Sequence, residues 1–184
     1  MGHPLLAGEV RPRPHSDLPL RPTVRWMTAE HIRAAAEIDF AGTPWDWTGP
    51  RMAEFLSRRG CLGRVAESAG SAVGFALYEA VRPTIEVHKL VVDAEYRGLG
   101  VGEALVRALA AKLDGVTWGR LLVNVRETNL DGQLFLREQG FLGRRVLRGH
   151  FPDSGEDAFE MVLTSDRARL ARPGFLGRNC GGAA

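Results

Sequence analysis

At 184 residues with 45% apolar content, the chain is long enough for one domain with a sizeable core and too short for two comfortable ones. Its 24 basic and 22 acidic residues leave a net charge of +2, without the basic field that nucleic-acid binding usually shows. No apolar run approaches the roughly 18 residues of a membrane span, the N-terminus lacks a signal pattern, and Cys61 and Cys180 offer neither a disulfide framework nor a metal-ligand spacing. A cytoplasmic protein is expected, with no membrane, nucleic-acid or metal partner.

Residues 1–22 hold Pro4, Pro12, Pro14, Pro19 and Pro22 among scattered arginines, a composition that buries too little apolar surface to offset its ordering entropy, so a disordered arm is expected there. Thr23 to Met27 then reads as a strand. Ala29 to Phe40 carries Ile32, Ala35, Ala36 and Ile38 at roughly helical spacing after the cap Thr28, and Thr48 to Arg59 puts Met52, Phe55 and Leu56 on one helix face. Leu62 to Ala69 and Ala72 to Val81 are strands separated by Gly70-Ser71, a two-residue hairpin signal. Thr84 to Val92 is a further strand, with Pro83 marking its entry.

After that strand comes the most informative stretch of the chain. Arg97-Gly98-Leu99-Gly100-Val101-Gly102-Glu103 runs from an apolar strand straight into a helix carrying Val101, Ala104, Leu105, Ala108, Leu109 and Leu113 at spacings of three and four, which Asp114-Gly115 stops. Three glycines in five positions bring the backbone close to a ligand, and the N–H groups of the first helical turn then point at its negative charge. A pyrophosphate suits such a cradle. The nucleoside triphosphate loop is excluded because Glu103-Ala104 follow the last glycine in place of Lys and Ser or Thr, and the dinucleotide fingerprint fails because Gly102 stands one place early.

Gly119 to Val125 is next, a buried strand. Thr128 or Asn129 caps a helix with Leu130, Leu134 and Phe135 that Gly140 ends; Phe141 begins another strand, and Glu156-Asp157 to Leu163 closes the sheet. From Ser165 the glycine-rich end of the chain reads as a flexible tail. The domain is expected over 23–164, between a disordered arm at 1–22 and the tail at 165–184.

The order Arg-x-x-Gly-x-Gly, formed by Arg97, Gly100 and Gly102 after a strand ending in Val92-Asp93, resembles the acetyl-CoA loop of the GCN5-related N-acetyltransferases, the GNAT family. The element order βααβββαβαββ over about 23–164 is also the one this family uses. The resemblance implies an α/β fold: a mixed, mostly antiparallel sheet of six or seven strands with helices on both faces. Smaller words narrow it toward the RimI-like branch, which acetylates protein N-termini: Phe40 with Pro44-Trp45, Val125-Arg126 with Asn129, Gly140-Phe141, and Glu156-Asp157-Ala158 with Met161. The chain departs from that branch at its two proton-handling positions. Asn124 stands where a glutamate is expected and Leu136 where a tyrosine is, while the aromatic pair before the last strand is His150-Phe151.

The resemblance implies acetyl-CoA as cosubstrate, with Arg97, Gly98, Leu99, Gly100, Val101, Gly102 and Glu103 around its pyrophosphate and the backbone of Leu90, Val91 and Val92 on its pantetheine arm, where one N–H faces the thioester oxygen. Asn129 matches a cofactor-touching position and equally reads as a plain helix cap. Transfer to an amine requires a neutral nitrogen, yet an α-amine has a pKa near ~8 and a lysine near ~10.4. Glu86, eleven residues before Arg97, matches a family position that serves as general base; by strict alternation it shares a face with His88 and Leu90, so His88 could relay or replace it. The bland alternative leaves both at an exposed strand end. Tyr78, Cys61 and His150 are candidate acids, and Trp45 and Trp47 could line an acceptor channel or merely pack. The expected activity is acetyl transfer to a primary amine, a protein N-terminus or alternatively a small molecule, by a monomer or homodimer. Two rivals are a non-catalytic acyl-CoA-binding module and an enzyme using a longer acyl group.

Overall fold

A computed structural model of the chain describes residues 22–42 and 47–170. The arm before residue 22, Pro44, Trp45 and the tail beyond 170 lie outside the described residues. Seven described strands form one sheet in the order β1-β2-β3-β4-β5-β7-β6: β1 (Thr23–Trp26), β2 (Cys61–Ser68), β3 (Ser71–Val81), β4 (Thr84–Val92), β5 (Arg120–Arg126), β6 (Leu142–Phe151) and β7 (Glu156–Thr164). Every pairing is antiparallel except that of β4 with β5. The expected mixed, mostly antiparallel sheet is therefore present, with seven strands.

Two cores cover the sheet. On one face α3 (Val101–Ala110) and α4 (Leu130–Glu138) bury Leu105, Leu109 and Leu136 against Tyr78, Ile85, Val87, Leu121 and Met161. On the other, α1 (Ile32–Gly42) and α2 (Gly49–Ser57) bury Ala35, Ile38, Met52 and Phe55 against Cys61, Phe75, Leu77 and Val91. Burying both faces gives β3 and β5 their nearly continuous apolar runs. Thr48 caps α2 by accepting the N–H of Arg51 at 3.5 Å, and Pro50 fills its first turn, where no N–H is missed.

Local chemistry moves a few boundaries. A short 3-10 turn, Ala29–His31, precedes α1 within the span expected to be helical throughout. The β2–β3 turn is Ala69-Gly70, one residue earlier than Gly70-Ser71: Ser68 pairs with Ser71, and both turn residues have positive φ, 49° and 78°, the geometry whose twist matches a two-residue hairpin. A six-residue helix, α5 (Ser165–Leu170), follows β7 in the stretch read as tail.

One irregularity changes which side chains meet. The β3–β4 register steps from Leu77 opposite Lys89 to Tyr78 opposite Val87, leaving His88 without a cross-strand partner. This bulge resets the alternation. Ile85, Val87, Leu90 and Val92 pack with the α3 face, while His88 rests against Phe55 and Lys89 reaches Asp39 of α1 on the other. Leu90 therefore does not share a face with His88, because strict alternation fails at the inserted residue.

Candidate active site

The parallel pairing of β4 with β5 runs only from Thr84–Arg120 to Val87–Val123. Beyond it Leu90, Val91 and Val92 keep their β3 partners Ala76, Phe75 and Gly74, so their opposite edge faces the opening between β4 and β5. The glycine loop follows directly from this splayed end. Arg97 is pinned there by its Nε, which donates to the Val92 carbonyl at 3.3 Å.

Gly98 and Gly100 have φ of 72° and 82°, and nothing lies within 4 Å of where a Cβ would stand on either. Gly100 is the left-handed N-cap of α3 and offers no side chain to the helix, whose first ladder bond runs from the Ala104 N–H to the Gly100 carbonyl at 2.9 Å. The N–H groups of the first helical turn, Val101 to Glu103, precede that ladder bond and have no partner in the helix. The result is a run of oriented donors at a helix start with open space before it, which fits an oxygen-rich anion. Gly102 serves a different need: a Cβ there would meet the Phe135 ring of α4 at 3.0 Å.

Glu86 stands opposite Glu79 of β3, and its Oε1 accepts from Asn124 Nδ2 of β5 at 3.3 Å. Asn124 lies one residue past the last β4–β5 pair, and its Oδ1 is buried without a partner. His88 Nε2 is 3.6 Å from Glu79 Oε2, and its ring meets Phe55 edge-on at 5.2 Å and Trp47 at 6.4 Å. Glu79, His88, Phe55 and Trp47, with Arg51, Glu54 and Arg58 but without Glu86 or Asn124, line a pocket of about 250 Å³. Trp47 thus both lines this pocket and packs, at 5.0 Å from Phe55. The Trp47 backbone N–H donates to Asp39 Oδ2 at 2.6 Å; Asp39, completely buried, also accepts from Lys89 Nζ at 2.9 Å.

The candidate acids are dispersed. Tyr78 is fully buried on the α3 face beside Arg64, and burial pushes its phenol above the ordinary range against the lowering influence of that guanidinium. Cys61 sits on the α2 face, its thiol pushed up by burial first and by Glu79 second, against the lowering influence of Arg58. His150 lies on exposed β6 against Phe151. Leu136 is core, so no hydroxyl replaces the tyrosine at that position.

Asn129 caps α4, its side chain accepting the Gly132 N–H at 2.9 Å, while Thr128 instead donates to Glu156 at 2.5 Å. Glu156 also accepts from Arg126 at 2.7 Å and from Ser154 at 2.9 Å; these three bonds, Thr128 foremost, lower its carboxyl to about 2. Arg126 pairs with Asp153 and lies 4.0 Å over the Phe151 ring, tying the end of β5 to the β6–β7 turn. The RimI-like words Arg126 and Glu156 thus touch each other. No group of three His, Cys, Asp or Glu side chains able to hold a metal is present among the described residues, and no described helix is long and apolar enough to cross a membrane.

Sequence reasoning did not single out Glu79. The signal was countable, since Val81 and Thr84 flank Arg82-Pro83 and stepping back two pairs from there sets Glu79 opposite Glu86. The Asp39–Lys89 pair, 50 residues apart, left no local trace.

Residues 26–141 match the acetyltransferase (GNAT) family. An uncharacterized N-acetyltransferase of Methanocaldococcus jannaschii is 30% identical over 147 residues, covering 79% of this chain and 94% of that protein. The N-alpha-acetyltransferase RimI of Mycobacterium tuberculosis is 34% identical over 100 residues, covering 52% of this chain and 61% of its own. The crystal structure of the ribosomal-protein-S18-alanine N-acetyltransferase from Escherichia coli superposes with a TM-score of 0.70 at 23% identity, covering 78% of this chain and 94% of that one. With the loop, the splayed strands and this match together, the chain belongs to the GNAT family of acetyltransferases, with RimI-type enzymes among its relatives.

Proposed function

We propose that this enzyme passes an acetyl group from acetyl-CoA directly to a primary amine, and that the acceptor is a protein N-terminal α-amine. The observation that carries this reading is the coincidence, at one end of β4, of an opening in the sheet with a glycine loop that leads into the uncapped start of α3. Acetyl-CoA would supply an activated acetyl thioester. Arg97 and the Gly98–Glu103 amides would hold its diphosphate, the free edge of Leu90, Val91 and Val92 its amide-bearing arm, and the Asn129 amide the same opening.

Proton removal falls to Glu86 and His88. An α-amine with a pKa near ~8 is already about one-tenth neutral at pH 7, so a weak base suffices where a lysine side chain would demand more. Glu86 is tethered by Asn124, and His88 stands at the inserted position with Glu79 beside it and aromatic walls on either side. The adjoining pocket sets Glu54 and Glu79 against Arg51 and Arg58, so its charge alone selects no acceptor. The departures at Asn124 and Leu136 favour a proton path different from the RimI type, which keeps a small-molecule amine as the second reading.

Thiol release from acetyl-CoA, measured with Ala-initiated peptides and with small amines, tests the reading. Peptide turnover is expected, with Glu86→Gln lowering kcat/KM by roughly 10²-fold. Turnover with small amines alone moves the acceptor to the second reading, and wild-type activity of Glu86→Gln across pH removes Glu86 as base. Binding of coenzyme A without turnover makes the chain a binding module, and calorimetry showing no association with coenzyme A overturns the whole assignment.

A further inference from the structure

On the α3 face, away from the opening, Trp26 of β1 stands directly opposite Arg64 of β2. The Arg64 guanidinium carbon lies 3.6 Å from the centroid of the Trp26 ring, and Lys112 Nζ approaches the same ring to 4.5 Å. Both cations are half-buried, and neither forms an ion pair among the described residues. Lys89, by contrast, has Asp39, and Arg126 has Asp153 and Glu156, whereas the half-buried Arg120 has the Thr84 hydroxyl. With 22 acidic residues in the chain, a shortage of carboxylates does not explain the difference.

A second observation points to the same place. Tyr78 is fully buried beside Arg64, whose guanidinium bears on its phenol, and neither its hydroxyl nor Arg64 Nε makes a well-aligned hydrogen bond. Buried donors without acceptors are uncommon in native proteins and call for an explanation. Burial and, behind it, the Arg64 charge push the Lys112 ammonium below its ordinary range, so the two cations feel one another. Charge and hydrogen-bonding capacity are unbalanced in the same sense, with donors and positive charge in excess.

We propose that Arg64 and Lys112, gathered around Trp26 with Tyr78 buried behind Arg64, form a binding site for a small oxyanion, the carboxylate or phosphate group of a ligand. A guanidinium held over a ring keeps its in-plane N–H edge for two oxygens, an ammonium adds a point charge, and the exposed part of the indole offers an apolar wall to whatever carries the anion. Lys112 lies just past the C-terminal end of α3 and the glycine loop at its N-terminal end, about 15 Å of helix apart, so this site is not the diphosphate cradle. The inference does not rest on the acetyl-transfer reading.

Titration of the full chain with inorganic phosphate and with acetate, at ionic strength held constant with chloride, tests it by amide and side-chain NMR. The Trp26 indole and Arg64 Nε–H signals report this site; the Gly98 and Gly100 amides report the loop separately. Saturating shifts of the first pair are expected, at least tenfold weaker in Lys112→Met, which retains the aliphatic stem, and also weakened in Tyr78→Phe. Whichever anion binds more tightly identifies the source group. Shifts that never saturate, that chloride reproduces, or that survive unchanged in Lys112→Met overturn the site.

Discussion

Gly98 and Gly100 are needed for their backbone conformation and Gly102 for the space beside Phe135, so three neighbouring glycines answer to two different physical demands. At Gly100, with φ of 82° and ψ of 2°, Gly100→Ala forces a side chain into the left-handed region without creating any collision. The expected cost is about 1–2 kcal/mol of stability, checked by urea unfolding, together with weaker coenzyme A binding as the N-cap relaxes. Glu79 and Glu86 illustrate another residue-scale tension: like charges directly opposite on adjacent strands disfavour the pair. Asn124 donating to one and His88 approaching the other supply the relief. Glu79→Gln is expected to leave the fold intact while altering the pH profile of kcat/KM, because it changes the charge beside His88; an unchanged profile assigns Glu79 a purely structural part.

Between elements, the decisive tie is the buried pair of Asp39 on α1 and Lys89 on β4. The bulge turns Lys89 toward α1, and Asp39 also takes the Trp47 backbone N–H, so a single carboxylate fixes the helix, the strand and the backbone of the pocket-lining Trp47 relative to one another. Removing one partner of a buried pair leaves an uncompensated charge, and Lys89→Met is expected to cost about 3 kcal/mol or more in denaturant unfolding. The double change Asp39→Asn with Lys89→Met removes both charges and keeps an acceptor for Trp47. It is expected to be more stable than Lys89→Met alone; the reverse order shows that charge compensation is not what the pair provides.

For the molecule as a whole, acid stability gathers at the ends of the strands. Asp114 Oδ1 accepts the N–H groups of Trp118, Val116 and Thr117, with Trp118 the largest influence, and its carboxyl is held at about 2; Glu156 reaches about 2 through Thr128, Arg126 and Ser154. Both folded values lie below the unfolded ones near ~4, so their stabilisation is complete above that range and is lost as pH falls through the folded values. Stability is therefore expected to decline between about pH 4.5 and 2, with a shallower decline in Glu156→Gln; an equal slope in wild type and variant removes Glu156 from the account. The order of elements, the glycine loop and the interruption at Gly140 were readable from the chain because each rests on neighbours within a turn or a strand: helical spacing, caps and positive-φ glycines are local physics. Strict alternation read Glu86 and His88 correctly as sharing a face and placed Leu90 wrongly, since an inserted residue in β4 shows only when β3 lies beside it. By itself, then, the sequence determined the fold class and the glycine turn that opens α3. Tertiary structure alone decided that Glu79 meets His88, that Asn124 meets Glu86, that Lys89 finds Asp39, and that Arg64 and Lys112 converge on Trp26. Cross-strand register and burial bring together residues far apart in the chain, and no local pattern encodes those pairings.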